Sequence, residues 1–306
     1  MQAYKETIKH VFEVAEEQGV EKIFDMPNTS HPILREADVR ERLRLVPESQ
    51  RKNYFLYVGV TSDEQQLEEA VRCYEEYDEV IGLKMFAGRS VGKLTVVDID
   101  DQRKVYAVLS RLGYLGVLAI HCEKESLLKP ELWNPLDPLS HSMARPEEAE
   151  IESIRDQIQL AKETGFEGDL HVCHISSPRS IEIIDKERRD IRVSCGATPH
   201  HILWDNTVSA GPEGLIYKVN PPLRSRASVE GLRECLKEGK IDWIETDHAP
   251  HAIGEKLFPP YLSGYPSLYL YKHFTEQFMP SIGLNKQQIE GLTSANVCRV
   301  FRNKLG

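Results

Sequence analysis

Trp243 to His251, reading W-I-E-T-D-H-A-P-H, crowds Asp247, His248 and His251 onto the end of an apolar run, Ile241 to Ile244, just where Ala249-Pro250 signals a turn. In a parallel α/β protein, ligands bind at the carboxyl ends of the strands, which makes Asp247 the first candidate for chemistry. Three more predicted strands end in residues of similar promise: Lys84 near the end of 80–86, His121 closing 116–121 and His174 closing 169–174. If those ends converge on one mouth, imidazole nitrogens and carboxylate oxygens suit Zn2+, and a site with open positions makes water acidic enough to attack at neutral pH. Lysine is the odd member of the set, because an ammonium cannot ligate a cation. It can do so only when modified, for example carboxylated by CO2 to a carbamate able to bridge two metals.

The other histidines are weighed by position. His171 and His174 lie three apart on one strand, so alternation predicts opposite faces, with His174 ligating and His171 packed beneath the helices. His200 and His201 follow Pro199 in a loop, where structural hydrogen bonding and a site role weigh about equally. His10, His31 and His273 have no supporting context. Cys173 stands beside His174 without an evident general base, and is read as a buried thiol.

Those residues have to be positioned by regular elements. Helical spacing opens the chain at Tyr4 to Gln18, and strands are predicted near residues 22, 54, 80, 116, 169, 191 and 241, alternating with helices over about 34–46, 62–77, 101–112, 146–164, 178–189 and 228–238. The tail, Pro266 to Phe301, reads as further helices. Cys122 to Arg145 is a long connection, with Pro130, Trp133, Pro135, Pro138 and His141, and is expected to be an active-site loop. Strands alternating with helices predict a parallel sheet, and this many repeats in 306 residues predict a TIM-type (β/α)8 barrel in a single domain spanning 1–306. Seven strands are one short of a closed barrel. An open doubly wound sheet tolerates seven, but no glycine-rich phosphate fingerprint follows any strand.

Composition fits a soluble globular chain, with 41% apolar and 28% charged residues. A net charge of −10 argues against nucleic acid and anionic membrane as partners, leaving a small molecule. Six cysteines without a C-x-x-C pair, no signal-peptide pattern at the start and no apolar run near the ~18 residues of a membrane span predict a cytoplasmic protein with reduced thiols.

Taken in order, D-M-P-N-T (25–29), G-L-K-M-F (82–86), A-I-H-C-E (119–123), L-H-V-C-H-I-S (170–176), T-P-H-H-I (198–202), N-P-P-L-R (220–224) and T-D-H-A-P-H (246–251) resemble dihydroorotases of the amidohydrolase superfamily, from about residue 4 to 301. The match is nearer to dihydroorotase than to hydantoinase or allantoinase. It implies a carboxylated Lys84 bridging two zinc ions, His121 and His174 holding one of them, and Asp247 ligating the other and shuttling the proton. It further implies that Asn28, Asn220 and His251 hold the substrate, and that the reaction is the reversible cyclisation of N-carbamoyl-L-aspartate to dihydroorotate.

Two departures stand out. The family's first strand carries an Asp-x-His-x-His run that supplies two ligands to one metal; this sequence has no such run and opens on the helix that should follow it, as the count of seven strands also indicates. The expectation is therefore at most one tightly held zinc, little or no dihydroorotase activity, and a barrel gap between the strands near 22 and 241 whose edges favour aggregation or an oligomer. The small β-sandwich of many relatives is also expected to be absent. A rival expectation is a non-catalytic subunit that binds a partner such as aspartate transcarbamoylase.

Overall fold

In the computed structural model, which describes residues 4–89 and 94–305, the alternation expected from the sequence becomes a curled parallel sheet. Its strands are β1 (Ile23–Asp25), β2 (Tyr54–Gly59), β3 (Val80–Phe86), β4 (Val117–His121), β5 (Asp169–Val172), β6 (Val193–Ala197) and β7 (Trp243–Ile244), each hydrogen-bonded to the next in chain order. That order, all parallel, is the order of a (β/α) barrel. Seven strands are present where a closed barrel has eight, and no pairing joins β7 back to β1 among the described residues.

The outer helices follow from sequence signals. Asp63 caps the helix Glu64–Glu76 and Asp98 caps the helix Ile99–Arg111, each accepting from backbone N–H groups of the first turn, and Gly165 ends the helix Glu147–Thr164 in the left-handed conformation (φ 64°) that a glycine adopts without penalty. In chain order these helices are α1 (Ile8–Glu17), α2 (Glu36–Arg44), α3 (Glu64–Glu76), α4 (Ile99–Arg111), α5 (Glu147–Thr164), α6 (Pro178–Glu187) and α7 (Arg226–Lys237). Their buried faces, among them Leu67, Val105, Leu109, Ile154, Ile181 and Leu232, meet outward strand residues such as Val58, Leu83, Leu118, Ile120 and Val172. At about 1.5–3 kcal/mol for each large side chain buried, this layer supplies most of the drive for folding. A smaller cluster, including Phe55, Tyr57, Val117, Ala119, Cys173 and Trp243, fills the barrel interior above Phe301.

Register decides which residues share that interior. Lys84 pairs with Ala119, Ala119 with His171, and His171 with Ser194, while one step higher Phe86 pairs with His121. Paired residues in a parallel ladder point to one face, so His171 faces inward on the same side as Lys84 and His121. The sequence-based placement of His171 beneath the helices is therefore wrong. Strand β5 ends at Val172, and His174 turns at φ 40°, so the alternation assumed between the two histidines breaks before it reaches His174.

The 122–145 connection is ordered and built from short turns: 3-10 turns at Glu125–Leu127 and Pro130–Leu132, then a short helix Ser140–Ala144. It is fastened at its root by Arg145, which donates to the carboxylate of Glu123. No helix among the described residues is long and apolar enough to cross a membrane.

Candidate metal centre at the barrel mouth

Lys84 projects from β3 into the interior and is only 1% exposed. Its Nζ lies 2.9 Å from Cys173 Sγ and 5.1 Å from the Phe86 ring centroid, and it pairs with no carboxylate among the described residues. Its charge is felt at His121, His174, Glu245 and Asp247, which places all five groups around one space.

His121 and His174 meet there. His121 Nδ1 lies 3.2 Å from His174 Nε2, with ring centroids 4.9 Å apart. Burial holds both imidazoles below their ordinary pKa; at His121 the neighbouring Glu123 opposes this, and at His174 the charges of His121 and Lys84 add to it. Two neutral rings result. Among the described residues His174 Nδ1 has no hydrogen-bond partner, and His121 Nε2 is 3.0 Å from Glu123 Oε2 without the alignment of a hydrogen bond. Buried lone pairs left without a donor are what a divalent cation requires of neutral imidazole, so the donor set fits a metal.

Asp247 completes this group from just beyond β7. Among the described residues it is one of three non-glycine residues with positive φ, at 45°, and His174 is another. Two of the expected ligands thus sit on strained turns, which persist only where surrounding structure holds them. Burial, then the Glu245 charge, pushes the Asp247 carboxyl up to about 7, with Lys84 opposing. The side chain is only partly exposed, and it feels its charged neighbours.

Sequence reasoning missed Glu245. Its carboxylate accepts from His171 Nε2 (3.0 Å), from Trp243 Nε1 (3.3 Å) and, at short range, from the backbone N–H of His174. It therefore pins the strained His174 turn. Room for it exists only because residue 196 is glycine: a Cβ there would lie 2.6 Å from Glu245 Cδ. His171 stacks on Trp243 at 4.1 Å and has Nδ1 3.0 Å from Ser194 Oγ. Burial would lower its pKa, but Glu245 and Cys173 reverse that and raise it to about 9. Ligand atoms of His171, Cys173 and Glu245 all fall within 4.8 Å of one another. The one signal that could have found this group is strand register, which a single sequence does not contain.

Glu123 was missed too. It is fully buried, and although burial would raise its carboxyl, Arg145 and His121 hold it well below the ordinary range.

The residues implied to hold substrate lie around the rim. Asn28 follows β1 and is half-buried. Asn220 Oδ1 accepts from Ser263 Oγ (3.1 Å) and lies 3.0 Å from His141 Nε2, while His251 Nε2 donates to Ser263 O (2.9 Å) and His251 Nδ1 accepts from Lys5 Nζ (2.8 Å). Asn220 and His251 are thus brought together through Ser263. His201 is a structural histidine, held by Thr198 Oγ1 and Pro221 O, whereas His200 is buried with neither nitrogen partnered. A cavity of about 90 Å3 lies at the opposite end of the barrel, between Asp169, Arg192 and Lys304, away from every residue of this cluster.

The fold and the cluster at its strand ends define a parallel (β/α) barrel with a candidate metal site at its mouth. Solved structures agree on the fold: dihydropyrimidinase from Brevibacillus agri superposes with a TM-score of 0.82 at 22% identity, covering 97% of this chain and 66% of that one. D-hydantoinase from Thermus sp. gives 0.80 at 21% identity, covering 97% and 66%. Sequence relatives narrow this. Dihydroorotase from Listeria welshimeri is 31% identical over 268 residues, 84% of this chain and 58% of its own length, and dihydroorotase from Aeropyrum pernix is 30% identical over 267 residues, 86% and 58%. The chain is thus similar in sequence to dihydroorotases and in fold to dihydropyrimidinase and D-hydantoinase. It spans rather more than half the length of those curated relatives, and no family model matches it.

Proposed function

We propose that this chain is the barrel of a metal-dependent cyclic amidohydrolase that interconverts dihydroorotate and N-carbamoyl-L-aspartate. The observation that carries this reading is the pair of neutral, buried imidazoles, His121 and His174, in contact beside Lys84 and Asp247. Zinc held by Lys84, His121 and His174, with Asp247 as a further ligand, would polarise the ring amide carbonyl and make water acidic enough to attack it. Lys84 takes part as its carbamate, since only then does it offer oxygen ligands. Asp247, with a carboxyl poised near neutrality, takes the proton from the attacking water and delivers it to the ring nitrogen as the carbon–nitrogen bond breaks. Asn28, Asn220 and His251 hold the substrate's carboxylate and ring amides from the rim. Residues 1–306 act as one barrel domain, in the cytoplasm.

The test is elemental analysis of the purified chain together with ring opening followed on dihydroorotate and on hydantoin. Zinc held by these residues and turnover of dihydroorotate are expected, with both falling in Lys84→Ala and His174→Asn. A carbamate carbon signal from labelled bicarbonate should appear with metal and vanish in Lys84→Ala. Turnover of hydantoin with none on dihydroorotate would transfer the chain to the hydantoinase reading, which the solved structural neighbours favour. Metal without any turnover, together with co-purifying aspartate transcarbamoylase, would favour a non-catalytic subunit.

A further inference from the structure

We propose that His171, Cys173 and Glu245 form a second cation site beside Lys84, level with it in the barrel and one step below His121, and that it takes a single thiophilic divalent ion such as Zn2+, Co2+ or Cd2+. The three ligand atoms lie within 4.8 Å of one another, with His171 Nε2 and Glu245 Oε2 only 3.0 Å apart. Around a tetrahedral ion with bonds of about 2.0–2.3 Å, ligand atoms stand roughly 3.3–3.8 Å apart, so rotations of the Cys173 and Glu245 side chains close the set without moving the strands.

Three features support the ion. A ligating histidine ordinarily uses its other ring nitrogen to bond an oxygen that fixes its orientation, and His171 Nδ1 already has Ser194 Oγ at 3.0 Å. Glu245 is oriented in the same way by Trp243 Nε1 and the His174 N–H, with Gly196 leaving it room. Finally, the ammonium of Lys84 rests 2.9 Å from the Cys173 sulfur, so this point in the interior is already built to carry positive charge. One imidazole, one thiolate and one carboxylate select a borderline-soft metal over Mg2+ or Ca2+. Binding deprotonates the Cys173 thiol and the Nε2 of His171, and both protons leave to solvent.

Cobalt titration of the purified full-length chain tests this directly, since a cobalt–thiolate bond gives a charge-transfer band in the near ultraviolet that nitrogen and oxygen ligands do not. A band saturating at one equivalent is expected in the native chain, retained in His121→Asn and in Cys122→Ser, and lost in Cys173→Ser. No band in the native chain, or one that survives Cys173→Ser, overturns the proposal. Should Cys173→Ser fail to fold, X-ray absorption on the cobalt-loaded native chain decides: one sulfur scatterer at this ion supports the site, and none overturns it. Neither readout depends on turnover, so failure here leaves the amidohydrolase reading standing, and failure of that reading leaves this site standing.

Discussion

Gly196→Ala places one methyl group against the carboxylate that holds the His174 turn. The added Cβ would lie 2.6 Å from Glu245 Cδ and from Oε2, and ordinary contact begins at 3.4 Å, so the carboxylate must retreat by about 0.8 Å. Taken along the His171 bond, that retreat stretches 3.0 Å to about 3.8 Å, beyond hydrogen-bond range. The side chain can swing clear, so the steric clash itself is cheap. What is lost is a set of charge-assisted bonds from His171, Trp243 and the His174 backbone, worth roughly 1.5–3 kcal/mol each, partly regained because Glu245 is 21% exposed and water can follow. A net loss of about 3 kcal/mol is expected, or a fall in Tm of roughly 6–12 °C. Urea unfolding of the metal-free protein measures it, with Glu245→Ala and the double variant completing the cycle. In the Glu245→Ala background the same glycine change should be nearly neutral. A cost under about 0.5 kcal/mol for the single change, or an undiminished cost in the double variant, would refute the role given to Glu245.

Three further outcomes are expected. Lys256 is buried and its ammonium donates to the carbonyls of Lys218 (3.1 Å), Leu262 (3.4 Å) and Gly264 (2.5 Å); burial, then the charge of Lys218, lowers it to about 7 while those carbonyls limit the fall. The folded state therefore releases this proton before the unfolded state does, so stability should rise with pH from about 7 to 10.5 at no more than roughly 1.4 kcal/mol per pH unit, and Lys256→Met should lose that rise. Parallel pH profiles for the two proteins would contradict it. His200→Leu should stabilise the metal-free chain by about 1–2 kcal/mol, because it removes two buried nitrogens without partners; a loss above about 1 kcal/mol in thermal unfolding would mean that the imidazole has a partner in solution. Glu123→Gln breaks the buried pair with Arg145 and should cost about 3–5 kcal/mol while opening the 122–145 connection to limited proteolysis; an unchanged cleavage pattern would show that the pair does not fasten it.

Much of this architecture is local and was therefore legible in the chain itself. Apolar runs bounded by turn residues marked β1 to β7, helical spacing marked the layer around them, and the count of seven came from the same patterns. Lys84, His121 and Asp247 were recognisable because each stands at or near a strand end, a position that depends only on where the run stops. Facing was another matter. His171 was assigned to the helical side by strict alternation with His174, and the fold turned it inward because the ladder Lys84–Ala119–His171 sets its face and a positive φ at His174 resets the count. Glu245, Gly196 and Cys173 became neighbours only when β3, β5, β6 and β7 curled into one wall, bringing together residues separated by up to 161 positions, from 84 to 245. His200 and His201 are adjacent and alike in sequence, yet Thr198 and Pro221 satisfy one and nothing satisfies the other. Composition and period determine which segments are strands and helices, because those preferences are set by near neighbours. Which side chains share a charge, a hydrogen bond or a metal depends on register and closure, and these are settled only by contacts between distant parts of the chain.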